Sequence, residues 1–250
     1  MTKLEIQAIS GKGLKRENNE DMISVSGVML RDDSLTLPVD FDDNATFYLL
    51  LADGMGGHEH GERASQMLLE HLKNFFHDYD FVEDFEKTIC DYIMAFSYFM
   101  NNQASEEGQI RPMGCTLTGV VWLKGKTLVL NAGDSRTYRF RNGTLRQLTI
   151  DETERGLSGN PNDSKLLVNC IGGGCVGTLT IIDITDRLRV GDQMLICSDG
   201  LTDMASDEEI ESVLSQSQQP ATDLYGVACR NGGFDNISVI CAKIVEVGKD

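Results

Sequence analysis

The chain has 250 residues, 41% of them hydrophobic, and a formal net charge of −17. This length and apolar content suit one large domain with a full core, and we treat residues 1–250 as that single domain. A surface this acidic repels nucleic acid and anionic membranes, so we expect neither as a partner. No apolar run approaches the ~20 residues of a membrane span, and no signal-peptide core is visible, which favours a cytoplasmic protein. The seven cysteines contain no Cys-x-x-Cys pair and are typical of free thiols in a reducing compartment.

The first part of the chain has the short apolar periods of β-strands. Residues 4–8 alternate between apolar and polar, which predicts a half-buried strand. Residues 22–30 predict a second strand, and the acid-rich residues 31–44 predict a solvated polar loop. The continuously apolar residues 47–52 predict a buried strand that ends at Asp53.

Helices and hairpins follow in separate blocks. Apolar residues recur at helical spacing from about residue 62 to 76 and again from 85 to 100, which predicts two amphipathic helices. The later predicted elements are hairpins at 117–131 and 136–148, an exposed mobile loop at 151–164, strands at 179–184 and 193–197, helices opened by Ser206 and Pro220, and a strand at 237–247. Strands in hairpin runs and helices in pairs do not match β-α-β alternation. The pattern therefore predicts an α+β fold of antiparallel sheets with helices packed outside.

Four aspartates lie next to a glycine or just past a glycine pair, and three of them follow apolar runs, so we expect those three at strand ends. The four aspartates are Asp53, Asp134, Asp199 and Asp235. If these carboxylates meet, each like-charged pair costs ~3–4 kcal/mol at ~4–5 Å and an effective dielectric of about 20. Such a cluster implies bound cations or strongly raised pKa values. The alternative is four unrelated turn aspartates, since Asp-Gly is a common turn pair.

Six short motifs occur in the order found in one enzyme family. They are Arg16-Glu17-Asn18-Asn19-Glu20-Asp21, Ala52-Asp53-Gly54-Met55-Gly56-Gly57-His58, Met113-Gly114-Cys115-Thr116-Leu117-Thr118, Gly133-Asp134-Ser135-Arg136, Ser198-Asp199-Gly200-Leu201 and Gly233-Phe234-Asp235-Asn236. On these residues the chain resembles the metal-dependent type 2C Ser/Thr protein phosphatases of the bacterial type. The resemblance implies a central sandwich of two antiparallel β-sheets flanked by pairs of α-helices, here with a short flap.

The resemblance also implies a metal site. Asp53 would bridge two ions, and the carbonyl of Gly54 would help to hold one of them. Asp199 and Asp235 would bind the other ion, and Asp134 with Asp199 would hold a third, weaker one. Oxygen ligands alone suit Mn²⁺ or Mg²⁺, whereas Zn²⁺ favours His or Cys.

Further residues take supporting roles by the same resemblance. Arg16 would bind the phosphate, because a guanidinium matches two phosphate oxygens, and together with Asp53 it forms the predicted catalytic pair. Glu20 and Asp21 would contact metal-bound waters, and Asn236 would orient its neighbour or a water.

Four other polar side chains near these motifs have structural interpretations. Arg136 would pair with an acid near the site, and Thr116 and Ser135 would be structural. His58 and His60 on the glycine-rich loop would face solvent rather than bind zinc.

The implied activity is hydrolysis of phospho-Ser/Thr monoesters by water activated between two metal ions. The implied partners are phosphoproteins of a Ser/Thr kinase, and we expect a monomer. Two features depart from the family pattern. Met55 stands where many eukaryotic relatives have a candidate acid, so a metal-bound water would replace it. Asp151-Glu152-Thr153 replaces the usual Asp-His-Ser/Thr, in a shortened flap.

Two other functions remain open from the sequence. The chain could be a catalytically silent member used for binding or scaffolding, although such members typically lose metal-binding acids. It could also be a phosphohydrolase for small phosphorylated metabolites, which an open cleft would admit.

Overall fold

Three antiparallel β-sheets and six α-helices make up the part of the chain that the structure, a computed structural model, describes, namely residues 1–55, 59–78, 84–106 and 112–247. The strands are β1 (Thr2–Gly11), β2 (Met22–Val25), β3 (Val28–Leu30), β4 (Asp33–Phe41), β5 (Phe47–Ala52), β6 (Gly54–Met55), β7 (Gly114–Cys115), β8 (Leu117–Leu123), β9 (Lys126–Ala132), β10 (Arg136–Arg141), β11 (Thr144–Gln147), β12 (Ile171–Gly172), β13 (Thr180–Asp183), β14 (Gln193–Cys197) and β15 (Ile237–Glu246). The helices are α1 (Glu59–Asp78), α2 (Phe85–Glu106), α3 (Glu154–Ser158), α4 (Asp199–Thr202), α5 (Asp207–Gln216) and α6 (Pro220–Arg230), with a 3₁₀ turn at Thr185–Arg187.

Two six-stranded sheets form the centre of the fold. One has the order β11-β10-β14-β15-β1-β4, and the other has the order β13-β9-β8-β5-β2-β3. An apolar core between them contains residues from both, such as Ile6, Leu49 and Ile240. A second core joins β5, β8 and β9 to α1 and α2, and a third joins β14 and β15 to α5 and α6. The predicted sandwich with helix pairs on both sides is therefore confirmed.

The second sheet explains why β5 is apolar at every position. All six of its residues are buried, because one face packs in the core between the sheets and the other against the helices. By contrast β1 alternates between buried and more exposed positions, as its period of two predicts. A continuous apolar run thus indicates a strand that is buried on both faces, and an alternating run indicates a strand that is buried on one face.

The predicted polar loop at residues 31–44 is wrong. Most of it forms β4, which pairs antiparallel with β1 from Thr2 opposite Phe41 to Ser10 opposite Asp33. Its apolar residues alternate with exposed polar ones, which is the pattern of an edge strand with one face on the core. Pro38 fits such an edge strand, because the backbone N–H that proline lacks would face away from the neighbouring strand and form no hydrogen bond within the sheet. The many acids of this segment concealed the alternation.

The predicted single strand at residues 22–30 is also wrong, because it is a hairpin of β2 and β3. The chain turns at Ser26 and Gly27, whose φ angles are 45° and 90°. Two successive positive φ values suit the turn that joins short antiparallel strands, and glycine adopts them without strain.

The predicted helices are present, and α1 begins at Glu59, about three residues earlier than predicted. Ser206 caps α5 as predicted: its hydroxyl accepts from the Glu209 N–H, and the Glu209 carboxylate accepts from the Ser206 N–H. Pro220 occupies the first turn of α6. Within the described residues, no helix has the length and apolar composition needed to cross a bilayer.

The segment between β11 and β13 contains secondary structure that the predicted loop at 151–164 did not include. It contains α3, whose cap Thr153 is buried and accepts the Gly156 N–H at 3.0 Å. Thr153 also forms a bridge with Leu167. Further along the chain, β12 joins β7 and β6 in a small sheet. The sequence did not predict this sheet, because its two-residue strands are too short to show an apolar period. Most of residues 154–164 are exposed as predicted, and α3 has no buried residue.

Candidate active site

The four aspartates lie at the same end of the sandwich. Asp53 follows β5 directly, Asp134 and Asp199 come two residues after β9 and β14, and Asp235 comes two residues before β15. Strand register brings these ends together, because the end of β9 lies opposite the start of β8 and the end of β14 opposite the start of β15. The three aspartates that follow apolar runs therefore lie at strand ends as predicted, and Asp235 lies just before a strand begins.

Burial and mutual repulsion raise the pKa values of this cluster. For Asp53 burial is the largest cause and the charge of Asp21 the next, and together they raise its pKa well above the ordinary value near 3.8. Burial, followed by the charges of Asp134 and Asp235, raises the pKa of Asp199 to about 7. Burial and then the charge of Asp151 raise the pKa of Asp134 to about 6. The charges of these carboxylates therefore raise one another's pKa values, as expected from the sequence for a cluster of acids.

Asp21 is the most enclosed acid of the group. Its side chain has no solvent exposure, and burial raises its pKa to about 6. The Ser198 hydroxyl donates to its Oδ2 at 2.8 Å, whereas its Oδ1 is buried without a hydrogen-bond partner. An orphaned carboxylate oxygen beside a set of acids is the donor chemistry that a hard divalent cation prefers.

The residues present fit Mn²⁺ or Mg²⁺ by their chemistry, since the acids and the Gly54 carbonyl offer only oxygen. The acidic side chains are not spaced closely enough to form a complete metal site. Across the part of the chain that the structure describes, no three His, Cys, Asp or Glu side chains are arranged to hold a metal ion as they stand. The carboxylates do interact through their charges, as the raised pKa values of Asp53 and Asp199 show.

Arg16 reaches the cluster from the loop after β1. Its Nη2 donates to Asp235 Oδ2 at 2.7 Å, and about half of its side chain is exposed. This hydrogen bond is the main cause that raises the pKa of the guanidinium. The structure therefore places the predicted phosphate-binding residue Arg16 beside the predicted metal ligand Asp235.

Asn236 does more than the sequence predicted. Its backbone N–H donates to the carboxylate of its neighbour Asp235 at 2.8 Å. Its side chain, in contrast, holds the loop after β1: Oδ1 accepts from the Glu20 N–H at 2.9 Å, and Nδ2 donates to the carbonyls of Asn18 and Lys12 at 2.8 and 3.3 Å. Asn236 thereby joins the loop of Glu20 to the strand end of Asp235.

Two glycines allow α1 to approach the site closely. A Cβ on Gly54 would lie 2.1 Å from the carbonyl oxygen of Gly61, and one on Gly61 would lie 2.3 Å from Glu20 Oε2. The Glu20 carbonyl accepts from the Gly54 N–H at 3.2 Å and from the Ser65 hydroxyl at 2.5 Å. The rest of this predicted motif, Gly56, Gly57 and His58, lies outside the described residues.

Hydroxyl groups fix the backbone of Asp53. Thr116 Oγ1 accepts from the Asp53 N–H at 3.1 Å, and the Thr116 N–H donates to the Asp53 carbonyl at 2.8 Å. The hydroxyls of Thr116 and Ser135 are 2.7 Å apart. Nearby, Arg136 forms the predicted pair with an acid, donating from Nε and Nη2 to Asp151 at 2.8 and 2.7 Å.

Arg31 is a site residue that the sequence prediction missed. Its Nε donates to the Asp21 carbonyl at 3.0 Å, and its Nη2 donates to the Glu62 carbonyl and the Ser65 hydroxyl at 2.8 and 2.9 Å. It therefore fastens the start of α1 to the backbone of Asp21. The only sequence signal was a lone cation before a run of acids, which does not name its partners.

Comparison with known proteins agrees with these observations. The family model described as protein phosphatase 2C matches residues 25–226. The chain is 32% identical over 257 residues to the serine/threonine protein phosphatase PstP of Mycobacterium tuberculosis, which covers 97% of this chain but only 45% of that longer protein. It is 28% identical over 221 residues to the serine/threonine phosphatase stp of Listeria welshimeri, covering 81% of this chain and 87% of that protein.

A solved structure extends the likeness to three dimensions. The catalytic domain of PstP, crystallised in complex with two manganese ions, superimposes with a TM-score of 0.77 at 32% sequence identity. The match covers 98% of this chain and 100% of that domain.

Proposed function

The chain belongs to the protein phosphatase 2C family, and from this premise we propose that it hydrolyses phosphoserine and phosphothreonine monoesters in proteins with two bound Mn²⁺ or Mg²⁺ ions. The observation that carries the proposal is the group of partly buried, mutually repelling carboxylates at one end of the sandwich, with raised pKa values at Asp53, Asp134 and Asp199. Such a group is costly unless it binds cations, which gives it a function rather than a structural role.

The predicted ligand set supports this site. Asp53 would bridge the two ions, the Gly54 carbonyl would contribute to one, and Asp199 and Asp235 would hold the other. Asp134 would hold a third, weaker ion together with Asp199. Bound divalent cations supply charge neutralisation for the phosphoryl group and a lowered pKa for water.

The chain's own residues would position the phosphate. Arg16 presents parallel N–H donors that match two phosphate oxygens, and its contact with Asp235 holds it at the edge of the cluster. Glu20, whose carbonyl anchors Gly54, and the enclosed Asp21 would orient water around the ions. Met55 has no proton to donate, so the position after Gly54 supplies no general acid.

The substrates would be phosphoproteins made by a Ser/Thr kinase. The relatives named above are serine/threonine phosphatases, which supports this class. A catalytically silent role is disfavoured, because all the acids of the predicted site are present.

The test measures hydrolysis of an aryl phosphate and of a phosphopeptide panel, with excess chelator and after Mn²⁺ is restored. We expect the chelator to abolish turnover and Mn²⁺ to recover it. Asp53→Ala should lower kcat/KM by at least about 100-fold, more than the usual loss for a residue that only supports a ligand. Asp186→Ala is the matched control, because Asp186 is exposed near the start of β9 at the opposite end of the sandwich.

Two results would contradict the proposal. One is activity that persists in excess chelator, and the other is a normal rate in a folded Asp53→Ala protein. A preference for small phosphates over every phosphopeptide would instead indicate a metabolite phosphohydrolase.

A further inference from the structure

Glu152 connects three separate parts of the chain beside the carboxylate cluster. Its Oε2 accepts from the Gly133 N–H at 2.9 Å and from Asn169 Nδ2 at 2.6 Å, and its Oε1 accepts from the Thr180 hydroxyl at 2.9 Å. Its backbone adds two contacts, donating to the Gly133 carbonyl at 3.0 Å and accepting from the Val168 N–H at 2.9 Å. One residue thus joins the end of β9, the segment before β12 and the start of β13.

Gly133 is the residue that turns the chain toward Asp134. Its φ is +111°, and a Cβ there would lie 2.7 Å from the Thr116 methyl carbon, so only glycine fits. Thr116 therefore bounds this backbone on one side and Glu152 holds its N–H and carbonyl on the other. The direction of the Asp134 carboxylate depends on this peptide, because the two residues are adjacent.

Asp134 in turn acts on the rest of the cluster. Its charge is the largest cause after burial that raises the pKa of Asp199, and it also acts on Asp53. The same segment that carries Glu152 also contacts the chain just after α4, through an ion pair between Lys165 and Asp203. Glu152 is therefore the contact through which this segment holds the peptide next to Asp134.

We propose that Glu152 is a positioning residue that fixes the peptide of Gly133, and through it Asp134, to the segment between β11 and β13. This inference rests on the proposed function for its effect on turnover. Both oxygens of Glu152 accept hydrogen bonds from donors in separate parts of the chain, which gives the side chain a positioning role. Its role is to set where the Asp134 carboxylate points.

Three variants separate this role from general support of the fold. Glu152→Ala removes all three side-chain contacts. Glu152→Gln keeps them, because the amide oxygen can accept from Gly133 and Asn169 while the amide nitrogen donates to the Thr180 hydroxyl. Thr180→Val is the matched control, since it removes one contact of the same carboxylate and leaves Gly133 untouched.

The first measurement is amide hydrogen exchange at Gly133 in the metal-free protein. Glu152→Ala should accelerate exchange by about tenfold or more, whereas Glu152→Gln and Thr180→Val should stay within about threefold of the wild type. Unchanged exchange at Gly133 in Glu152→Ala would overturn the proposal.

The second measurement is a double-mutant cycle in kcat/KM with Asp134→Ala. Glu152→Ala should cost about tenfold when Asp134 is present and less than about twofold when it is absent, because the effect passes through that carboxylate. Equal losses in both backgrounds would also overturn it. Should Glu152→Ala not fold, Glu152→Asp, which draws the carboxylate back by one methylene, replaces it in both measurements. A wild-type protein without phosphatase activity would contradict the proposed function, and the exchange comparison would still decide the role of Glu152.

Discussion

Replacing Asp134 by asparagine in the metal-free protein should reveal the electrostatic cost of the cluster. Burial, and then the charge of Asp151, raise the pKa of Asp134 to about 6 from its ordinary value near 3.8. Asparagine has almost the same shape and cannot ionise. The substitution therefore removes the charge while the packing around it stays nearly the same.

The sign and size follow from this shift. A folded-state pKa above the unfolded value means that the folded protein binds the proton more tightly, so its free energy of unfolding falls as pH rises from about 4 through 6. A shift of about two units corresponds to about 3 kcal/mol, which is the full cost of the ionised carboxylate at pH 8. At pH 4.5 the cost is only about 1 kcal/mol, because the folded-state carboxyl is mostly protonated there.

Urea denaturation with excess chelator at pH 4.5 and pH 8 measures the effect. Asp134→Asn should gain about 2 kcal/mol more over the wild type at pH 8 than at pH 4.5, the difference between the two costs. Packing differences are common to both pH values and cancel. Asp186→Asn, an exposed substitution at the opposite end of the sandwich, measures the effect of losing one surface charge. An equal Asp134→Asn difference at both pH values would refute the reasoning.

Three other outcomes test the site and its supports. Free Mn²⁺ at 100 times its Kd should raise the free energy of unfolding by ~2.7 kcal/mol, read as a chelator-reversible rise in Tm, and a Tm indifferent to Mn²⁺ would count against the site. Gly54→Ala should lower the unfolding free energy by ~1–3 kcal/mol in urea, because its Cβ would meet the Gly61 carbonyl 2.1 Å away; a neutral effect would contradict that close approach. Arg31→Met should lower the free energy of unfolding by ~1–3 kcal/mol in the same assay, because it leaves the carbonyls of Asp21 and Glu62 without their donor. A loss no greater than that of an exposed substitution would show that these contacts are weak.

Local periodicity was sufficient to predict most of the helices and strands, because the burial pattern of each one is visible in a few consecutive residues. The six buried residues of β5 and the alternation of β1 could be read in this way. It failed at β4, where acids on the exposed face outweighed the apolar residues on the other. It also failed for the small sheet of β6, β7 and β12, since two-residue strands have no period and depend on neighbours far along the chain.

The same distinction between local patterns and long-range contacts applies to the site. The aspartates were predictable, because a carboxylate next to a glycine at a strand end is a local pattern that three of them share, and Asp235 follows a glycine pair by two residues. The residues that hold them in place were harder to find. Arg31 contacts Ser65 across 34 positions, and Glu152 contacts Gly133 across 19. Nothing near either residue in the sequence marks its partner, so only the fold reveals the contact.

The electrostatics of the cluster explain why so many polar contacts are directed at its backbone. Repulsion favours any movement that separates the carboxylates, and at neutral pH this repulsion opposes folding. Side-chain contacts resist that movement without neutralising the charge: Thr116 holds the backbone of Asp53, Glu152 holds the peptide before Asp134, and Asn236 joins the loop of Glu20 to the strand end of Asp235. The carboxylates are therefore kept near one another although they repel, and a bound cation would recover that energy as affinity. Stability of the metal-free protein and affinity for the metal should consequently vary in opposite directions when a carboxylate of the cluster is neutralised.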